Sequence, residues 1–220
     1  MGRNKGQEYE DKITKILVNK KLFPLHLKNN MEGNDTAIIH KGATYFVEVK
    51  NKDAPDYGQK RLVWDQSTKW QWSEDDVIAR LFTQYGIITQ HIDPKFIPKR
   101  YSVLPKEKIT VMDKKFDQTG FKKNGIPIPN TCLHDFYARR NCFYIQIEGK
   151  GFYHLQQDIA KLGVPQYKPD LYLRLRAKTH SSSPIYNYSF FAVINADKNS
   201  ASITGFDLEG LGGRGFPPIK

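Results

Sequence analysis

The chain has 220 residues and a mass of 25.4 kDa, enough for one domain with a sizeable core. Its 34 Lys and Arg against 23 Asp and Glu give a formal charge of +11, which favours a polyanionic partner. Because no apolar run approaches the roughly 20 residues that cross a bilayer, and the N-terminus lacks a signal-peptide core, we expect a soluble cytoplasmic protein without a membrane partner.

Residues 5–22 are predicted to form a helix, since apolar side chains recur there at spacings of three and four with charges between them. Glu10 borders the apolar face of this helix, which makes it a better candidate than Glu8 to face a site beneath it. The alternative is that Glu10 is an ordinary acid in a first turn, where the helix dipole favours a negative charge.

Two segments rich in β-branched and aromatic residues follow, at 33–40 and 43–50. The two-residue link Lys41-Gly42 between them predicts a β-hairpin in which His40 pairs with Ala43. A three-residue loop or a bulge in the link is the alternative. Either one would shift the pairing by one residue and turn one segment's side chains to the opposite face.

The two-residue link brings two carboxylates and a lysine together. Asp35 then lies across the hairpin from Glu48, and Lys50 shares the face of Glu48 because side chains alternate along a strand. Opposed like charges favour a divalent cation with oxygen ligands, which points to Mg²⁺. The neighbouring lysine can position or activate a water, so this is a candidate site for phosphodiester hydrolysis. The alternative is a solvated hairpin that carries ordinary surface charges.

This arrangement, Asp35 followed thirteen residues later by Glu48-x-Lys50, resembles the PD-(D/E)xK nuclease signature of many type II restriction endonucleases. The resemblance covers about the first 60 residues, and Asn34 stands where the motif has proline. It implies a mixed central sheet flanked by helices, catalytic roles for all three residues, and one or two Mg²⁺ ions held by the two acids. This family often has a further acid on the preceding helix, which adds Glu10 as a metal ligand.

A turn-rich linker at 51–56 is expected to lead into a second helical region. Ser73, with Asp76 three residues later, is predicted to cap a helix that begins near Val77. Between linker and helix, basic residues interleave with all three tryptophans, a pattern that suits contacts to phosphates and bases. The alternative is that the tryptophans pack within a helix and its neighbouring loop. The candidate DNA-binding residues of this region are Lys52, Arg61, Trp64 and Lys69.

Residues 93–141 are rich in proline and lysine. We expect a long basic loop excursion there, which either contacts the DNA backbone or remains solvated and poorly ordered. The chain has only two cysteines, Cys132 and Cys142, which favours a reducing compartment over a disulfide framework. With His134 and His154 they match no common zinc spacing, so we expect buried thiols and a surface histidine instead.

From residue 142 onward the sequence is β-rich. Residues 171–178 alternate apolar and basic side chains, so one face is predicted to contact DNA through Arg174, Arg176 and Lys178. The alternative is an exposed face whose charges protect a sheet edge. A Gly-rich flexible tail is expected at 209–220. The remaining strands are predicted at 143–147 and 152–155, which form a hairpin, and at 188–195 and 202–208.

We therefore expect a single α/β domain with a catalytic core at 1–92 and a DNA-contacting β-rich part at 142–208. The resemblance and the charge together predict a Mg²⁺-dependent, site-specific endonuclease of double-stranded DNA that is similar to type II restriction enzymes. A homodimer without a nucleotide cofactor is expected. The alternatives are a structure-specific nuclease of the junction-resolving or repair type, an RNA-binding or RNA-cleaving protein, and a non-catalytic nucleic-acid-binding protein.

Overall fold

Helices and strands both contribute to the fold, which confirms the predicted α/β class. The computed structural model describes residues 5–24, 34–54, 56–179, 184–197, 199–201, 204–210 and 214–215. These residues divide into two compact units, each containing one β-sheet. Unit 1 takes the described residues of 1–55, 133–170 and 197–220, and unit 2 takes those of 56–132 and 171–196. This division differs from the predicted core at 1–92, because residues 56–92 belong to unit 2.

The elements follow the chain in this order. The helices are α1 (Lys5–Asn19), α2 (Val77–Gln84), α3 (Ile87–His91), α4 (Lys99–Ser102), α5 (Val111–Phe121) and α6 (Asn130–Ala138), with a 3₁₀ turn at Lys106–Lys108. The strands are β1 (Thr36–His40), β2 (Ala43–Lys50), β3 (Asp56–Asp65), β4 (Lys69–Trp72), β5 (Lys123–Pro127), β6 (Cys142–Ile147), β7 (Gly151–His154), β8 (Asp170–Thr179), β9 (Tyr188–Asp197), β10 (Phe206–Asp207) and β11 (Arg214–Gly215). None of the described helices has the length and apolar character needed to cross a bilayer.

The sheet of unit 1 has the strand order β1-β2-β6-β7-β10-β11. Strand β2 is antiparallel to β1 but parallel to β6, and the intervening chain supplies the crossover that parallel neighbours require. Helix α1 buries Tyr9, Ile13 and Leu17 in one cluster with Val47 and Val49 of β2. The predicted first helix is confirmed, and it ends at Asn19, before the predicted end at residue 22.

The sheet of unit 2 has the strand order β4-β3-β9-β8-β5. No strand was predicted between the linker and the helix at Val77, but β3 and β4 pair there as an antiparallel hairpin. From Lys60 onward, buried and more exposed side chains alternate along β3, and Lys60, Leu62 and Trp64 are buried on one face. A lysine at a buried position hides this alternation in the sequence, and here its amine donates to Asp76 over 2.6 Å.

Helix α2 begins at Val77, as predicted, but its cap differs from the prediction. The N-cap residue is Asp76, whose carboxylate accepts hydrogen bonds from the backbone of Ile78 and Ala79. The predicted cap at Ser73 is therefore wrong. An aspartate directly before the first turn satisfies the free backbone N–H groups itself.

The expected loop excursion at 93–141 is wrong, because α4, α5, β5, α6 and the 3₁₀ turn occupy most of it. Two of its prolines begin helical turns: Pro98 is the N-cap of α4, and Pro105 precedes the 3₁₀ turn. Thr110 and Asp113 form a capping box at the start of α5. Proline lacks a backbone N–H, which a first turn does not need, so proline in this segment marks helix starts.

The β-rich pattern from residue 142 is confirmed for the β6–β7 hairpin and for β8 and β9. Of the predicted strand at 202–208, only β10 forms, and residues 202 and 203 lie outside the described part. The predicted flexible tail is wrong at its start, because the Glu209 side chain is buried. Its carboxylate accepts hydrogen bonds from Tyr9 (3.0 Å) and Lys12 (2.7 Å). Within the tail, β11 pairs with β10.

Candidate active site

The β1–β2 hairpin has the predicted register. Lys41 and Gly42 both adopt positive φ angles, of 50° and 77°, which the tight two-residue turns of hairpins require. The ladder pairs His40 with Ala43 and runs to Thr36 opposite Val47. The alternative registers are therefore wrong. Glu48 lies one residue beyond the last pair, and Asp35, the residue before β1, lies one residue beyond it on the other strand.

Asp35 is fixed at this point by the backbone of the opposite strand. Its Oδ2 accepts a hydrogen bond from the Val49 N–H over 2.8 Å, so the carboxylate is held beside Glu48. The Lys50 amine donates to Oε1 of Glu48, and both side chains are largely buried. The structure thus brings together the three residues predicted to be catalytic.

The electrostatics of the cluster follow from burial and from this close approach. Burial and the Glu48 charge raise the pKa of Asp35 to about 7, while Lys50 and the Val49 N–H oppose the rise. Burial alone would lower the pKa of Lys50, but the neighbouring Glu48 and Asp35 charges outweigh it and raise that pKa. Lys50 is therefore a positive charge that is bonded to Glu48 and favoured by the charge of Asp35.

Helix α1 brings a third acid to the same cluster. Burial raises the pKa of Glu10, the Lys50 charge lowers it, and the Glu48 charge raises it again, with a net rise. Glu10 is therefore close enough to the hairpin site for the charges of Lys50 and Glu48 to affect its pKa. Glu8, the other acid considered on this helix, is exposed.

The donor set suits a hard divalent cation through two carboxylates. No group of three or more His, Cys, Asp or Glu side chains in the described part of the chain is arranged to hold a metal ion. Glu10 therefore influences the cluster by its charge without completing a three-residue ligand set. Mg²⁺ is commonly bound by only one or two carboxylates, with water and substrate phosphates as its other ligands. Asp35 and Glu48 satisfy that requirement, and their mutual repulsion is the charge pattern that a cation relieves.

Two buried residues of the site were not identified from the sequence. The fully buried Tyr137 of α6 makes a side-chain hydrogen bond with Glu48. The Cys142 thiol lies 3.7 Å from the Phe46 carbonyl, and burial followed by the Glu48 charge raises the pKa of this thiol. Both residues are about 90 positions beyond Glu48, and Cys142 is the first residue of β6, the strand that pairs with β2. No local pattern could therefore have indicated them.

The candidate DNA-binding residues differ in how accessible they are. Lys52 of unit 1 and three residues of unit 2, Arg61, Lys69 and Lys178, are exposed. Trp64 is only 8% exposed, so most of its surface packs inside the protein, as the alternative interpretation of the tryptophans expected.

The predicted basic face of β8 forms in part. Its alternating leucines, Leu171, Leu173 and Leu175, are buried. Arg174 and Arg176 both donate to the carboxylate of Asp56, over 2.9 and 2.8 Å, so these two guanidinium groups are already ion-paired.

Three of the residues considered for a zinc site are buried inside the protein. Cys132 and Cys142 are both buried free thiols, as predicted. The expected surface position of His134 is wrong, since its ring is buried and its Nε2 lies 2.9 Å from the Tyr167 carbonyl oxygen.

No protein-family model, curated protein or solved structure matches the chain, so the functional conclusion rests on the residues of the candidate site and their geometry.

Proposed function

We propose that the protein is a Mg²⁺-dependent endonuclease that hydrolyses phosphodiester bonds of DNA. The observation that carries this proposal is the cluster at the mouth of the β1–β2 hairpin, where Asp35 is held beside Glu48 and Lys50. Acids with a raised pKa beside a paired lysine are candidates for a functional site. The resemblance of the same residues to the PD-(D/E)xK signature also supports the proposal.

Each residue of the cluster has a role in the proposed reaction. Asp35 and Glu48 would hold one or two Mg²⁺ ions, which lower the pKa of a bound water and offset charge on the phosphate. Lys50 orients the attacking water and stabilises negative charge that develops on the phosphoryl oxygens. Glu10 adds negative charge beside the cation site, and Tyr137 holds Glu48 in place.

The reaction is hydrolysis by in-line attack. Water adds to phosphorus, and the bond from phosphorus to the 3′ oxygen breaks. The departing oxygen takes a proton, leaving a 3′-hydroxyl and a 5′-phosphate, as the family resemblance implies. Glu48 and Lys50 lie on one face of β2, so the nucleophile and the phosphate would be held from the same side.

Double-stranded DNA is the proposed substrate, and site-specific cutting by a homodimer is the form that the resemblance favours. The net charge of +11 supports a polyanionic substrate through phosphate contacts and counterion release. Exposed Lys52, two residues beyond Lys50, would contact the backbone next to the scissile phosphate.

The proposal is tested by incubating plasmid DNA with the protein in Mg²⁺, in Ca²⁺ and in EDTA. Discrete fragments in Mg²⁺ alone would support a sequence-specific enzyme, and a smear would support cutting without sequence specificity. Intact plasmid in every condition, together with a salt-sensitive band shift, would favour a non-catalytic DNA-binding protein.

Metal binding is tested separately from activity by thermal unfolding with increasing Mg²⁺. A ligand that binds only the folded state raises the melting temperature. We expect this rise for the wild type and its loss in Glu48→Gln. The matched control is Glu148→Gln, since Glu148 lies in the β6–β7 turn and its carboxylate accepts from the backbone of Lys52. An equal rise in all three proteins would contradict the assigned ligands.

A further inference from the structure

The segment at 204–210 packs against the core of unit 1. Phe206 and Leu208 are buried in the same cluster as Tyr9 of α1. Gly205 leaves no room for a side chain, since a Cβ there would lie 2.7 Å from the backbone nitrogen of Phe152 in β7. Only glycine permits so close an approach. The position of this segment beside β7 is therefore closely defined.

Glu209 of this segment bonds to both α1 and the sheet. Its side chain is only 3% exposed. The carboxylate accepts from the Tyr9 hydroxyl (3.0 Å) and the Lys12 amine (2.7 Å) of α1. It also accepts from the side-chain amide of Gln146 in β6, over 3.4 Å. Hydrogen bonds to a charged acceptor are among the stronger ones in proteins, so Glu209 links α1 to the strand that pairs with β2.

The first half of α1 depends on one buried residue. Of residues 5–12, Tyr9 alone is buried, and Gly6 lowers the intrinsic stability of the first helical turn. Glu10 directly follows Tyr9 and lies close enough to the hairpin site for the charges there to affect its pKa. A change in how Tyr9 is held would therefore move Glu10 relative to that site.

Gln146 connects the Tyr9 hydroxyl to the strand pairing of the site. Gln146 is fully buried, and its amide donates to the Tyr9 hydroxyl over 3.1 Å. In the β2–β6 ladder Gln146 pairs with Val49, whose N–H holds Asp35. The bonds around Glu209 therefore reach the strand position that fixes the first acid of the site.

We propose that Glu209 is a positioning residue of the candidate active site. It holds the start of α1, so that the charge of Glu10 stays beside Asp35 and Glu48. Its bonds to Tyr9 and Lys12 are the route by which it acts. The consequence for Mg²⁺ rests on the proposed function, because the ion is part of that proposal.

The apparent Mg²⁺ affinity of the full chain is measured by thermal unfolding at about pH 8. We expect Glu209→Gln to lower this affinity by roughly 3- to 10-fold, below the roughly 10- to 100-fold typical of residues that contact a metal ligand. Asp158→Asn is the matched control, because Asp158 accepts from the hydroxyl of Tyr144, which belongs to β6 instead of α1. Both variants should melt earlier without Mg²⁺, but only Glu209→Gln should bind the ion more weakly.

A double-mutant cycle separates positioning from a general loss of stability. If Glu209 acts through Glu10, then Glu209→Gln should cause no further loss of Mg²⁺ affinity in a Glu10→Gln background. Equal losses of affinity in both backgrounds, or no loss in either, would overturn the proposal.

Hydrogen exchange in EDTA tests the same role without the metal. Loss of the Glu209 bonds should speed the exchange of the α1 amides at residues 9–13 by roughly 5- to 30-fold, whereas Asp158→Asn should leave their exchange unchanged. Unchanged exchange in Glu209→Gln would also overturn the proposal. Failure of the nuclease proposal is distinguishable, because Mg²⁺ would then produce no cutting by the wild type while α1 exchange still responded to Glu209→Gln.

Discussion

At the scale of single residues, the proposed chemistry depends on how Asp35, Glu48 and Lys50 share charge. The buried Glu48 and the half-buried Asp35 disfavour each other's charge at close range, and the lysine compensates only in part, since the pKa of Asp35 still rises to about 7. A metal ion would supply the missing positive charge. The cluster is therefore less stable without its ligand than with it, which is common for functional sites.

Lys50→Ala should abolish cutting while DNA affinity stays within about threefold of wild type. Loss of a group that stabilises developing charge typically lowers the rate by roughly 100-fold or more. Rates under single-turnover conditions and gel-shift affinities measure the two effects separately. Lys52→Ala is the matched control, and its exposed side chain should affect affinity and salt dependence instead. Cutting by Lys50→Ala at the wild-type rate would refute the catalytic role.

Asp35→Asn should stabilise the metal-free protein above pH 7. The raised pKa means that the folded state keeps a proton on Asp35 between about pH 4 and 7, where the unfolded state has released it. The free energy of unfolding of the wild type therefore falls as pH rises through this range. Since one pKa unit corresponds to about 1.4 kcal/mol, we expect the variant to gain about 1–3 kcal/mol at pH 8.

Urea denaturation in EDTA from pH 4.5 to 8 measures this effect as the difference between wild type and variant. Asp53→Asn serves as the control, because Asp53 is exposed in the same unit. A difference that does not change with pH would contradict the raised pKa of Asp35.

At the scale of elements, α6 contributes to the site through Tyr137, whose hydroxyl hydrogen-bonds with Glu48. Tyr137→Phe keeps the buried ring and removes this bond, so Glu48 should become less well positioned. Partners that orient a metal ligand are worth roughly 10- to 100-fold in metal affinity or activity. We expect a fall of that size in the apparent Mg²⁺ affinity, measured by thermal unfolding.

Tyr153→Phe is the matched control for Tyr137→Phe, because the Tyr153 hydroxyl donates to the Lys150 carbonyl, outside the cluster. Equal Mg²⁺ affinities in the two variants would exclude a positioning role for Tyr137.

The start of α2 gives a second prediction at this scale. Asp76 caps the helix with two backbone hydrogen bonds and also accepts from the buried Lys60. Asp76→Ala should lower the free energy of unfolding by about 1–3 kcal/mol, since it removes the cap and leaves a buried amine with weaker compensation. Asp75→Ala removes only the exposed pair with Arg80, so it should cost less than about 1 kcal/mol. Equal losses in chemical denaturation would contradict this account.

The sequence predicted elements well wherever one short stretch determined the structure. The Lys41-Gly42 link set the β1–β2 register, and with it the positions of Asp35 and Glu48. Strand β3 was missed because Lys60 occupies a buried position that is neutralised by Asp76, sixteen residues away. Tyr137 was missed for a similar reason, since its contact with Glu48 depends on long-range pairing. Physical interactions between distant residues leave no local periodicity.

At the scale of the whole molecule, the candidate active site belongs to a unit assembled from three separate stretches of chain. The predicted core at 1–92 contains the hairpin but lacks β6, β7 and the site residues beyond α5. A fragment of residues 1–92 should therefore show no cooperative melting transition and no Mg²⁺-dependent cutting, because β2 has no parallel neighbour and half of its core cluster is missing. The full chain under the same conditions is the control. A sharp calorimetric transition in the fragment would show that the hairpin and α1 form a self-sufficient core.

The parallel pairing of β2 with β6 also sets the order of events on the ribosome. Ile147 is added 97 residues after Lys50, and at roughly 5–20 residues per second this delay is about 5–20 s. During that interval the hairpin emerges without the strand and the tyrosine that later enclose it. A nascent chain would thus hold the three reactive groups on an unsupported hairpin until β6 had been made. Synthesis itself would then delay the onset of any cleavage activity near the translating ribosome.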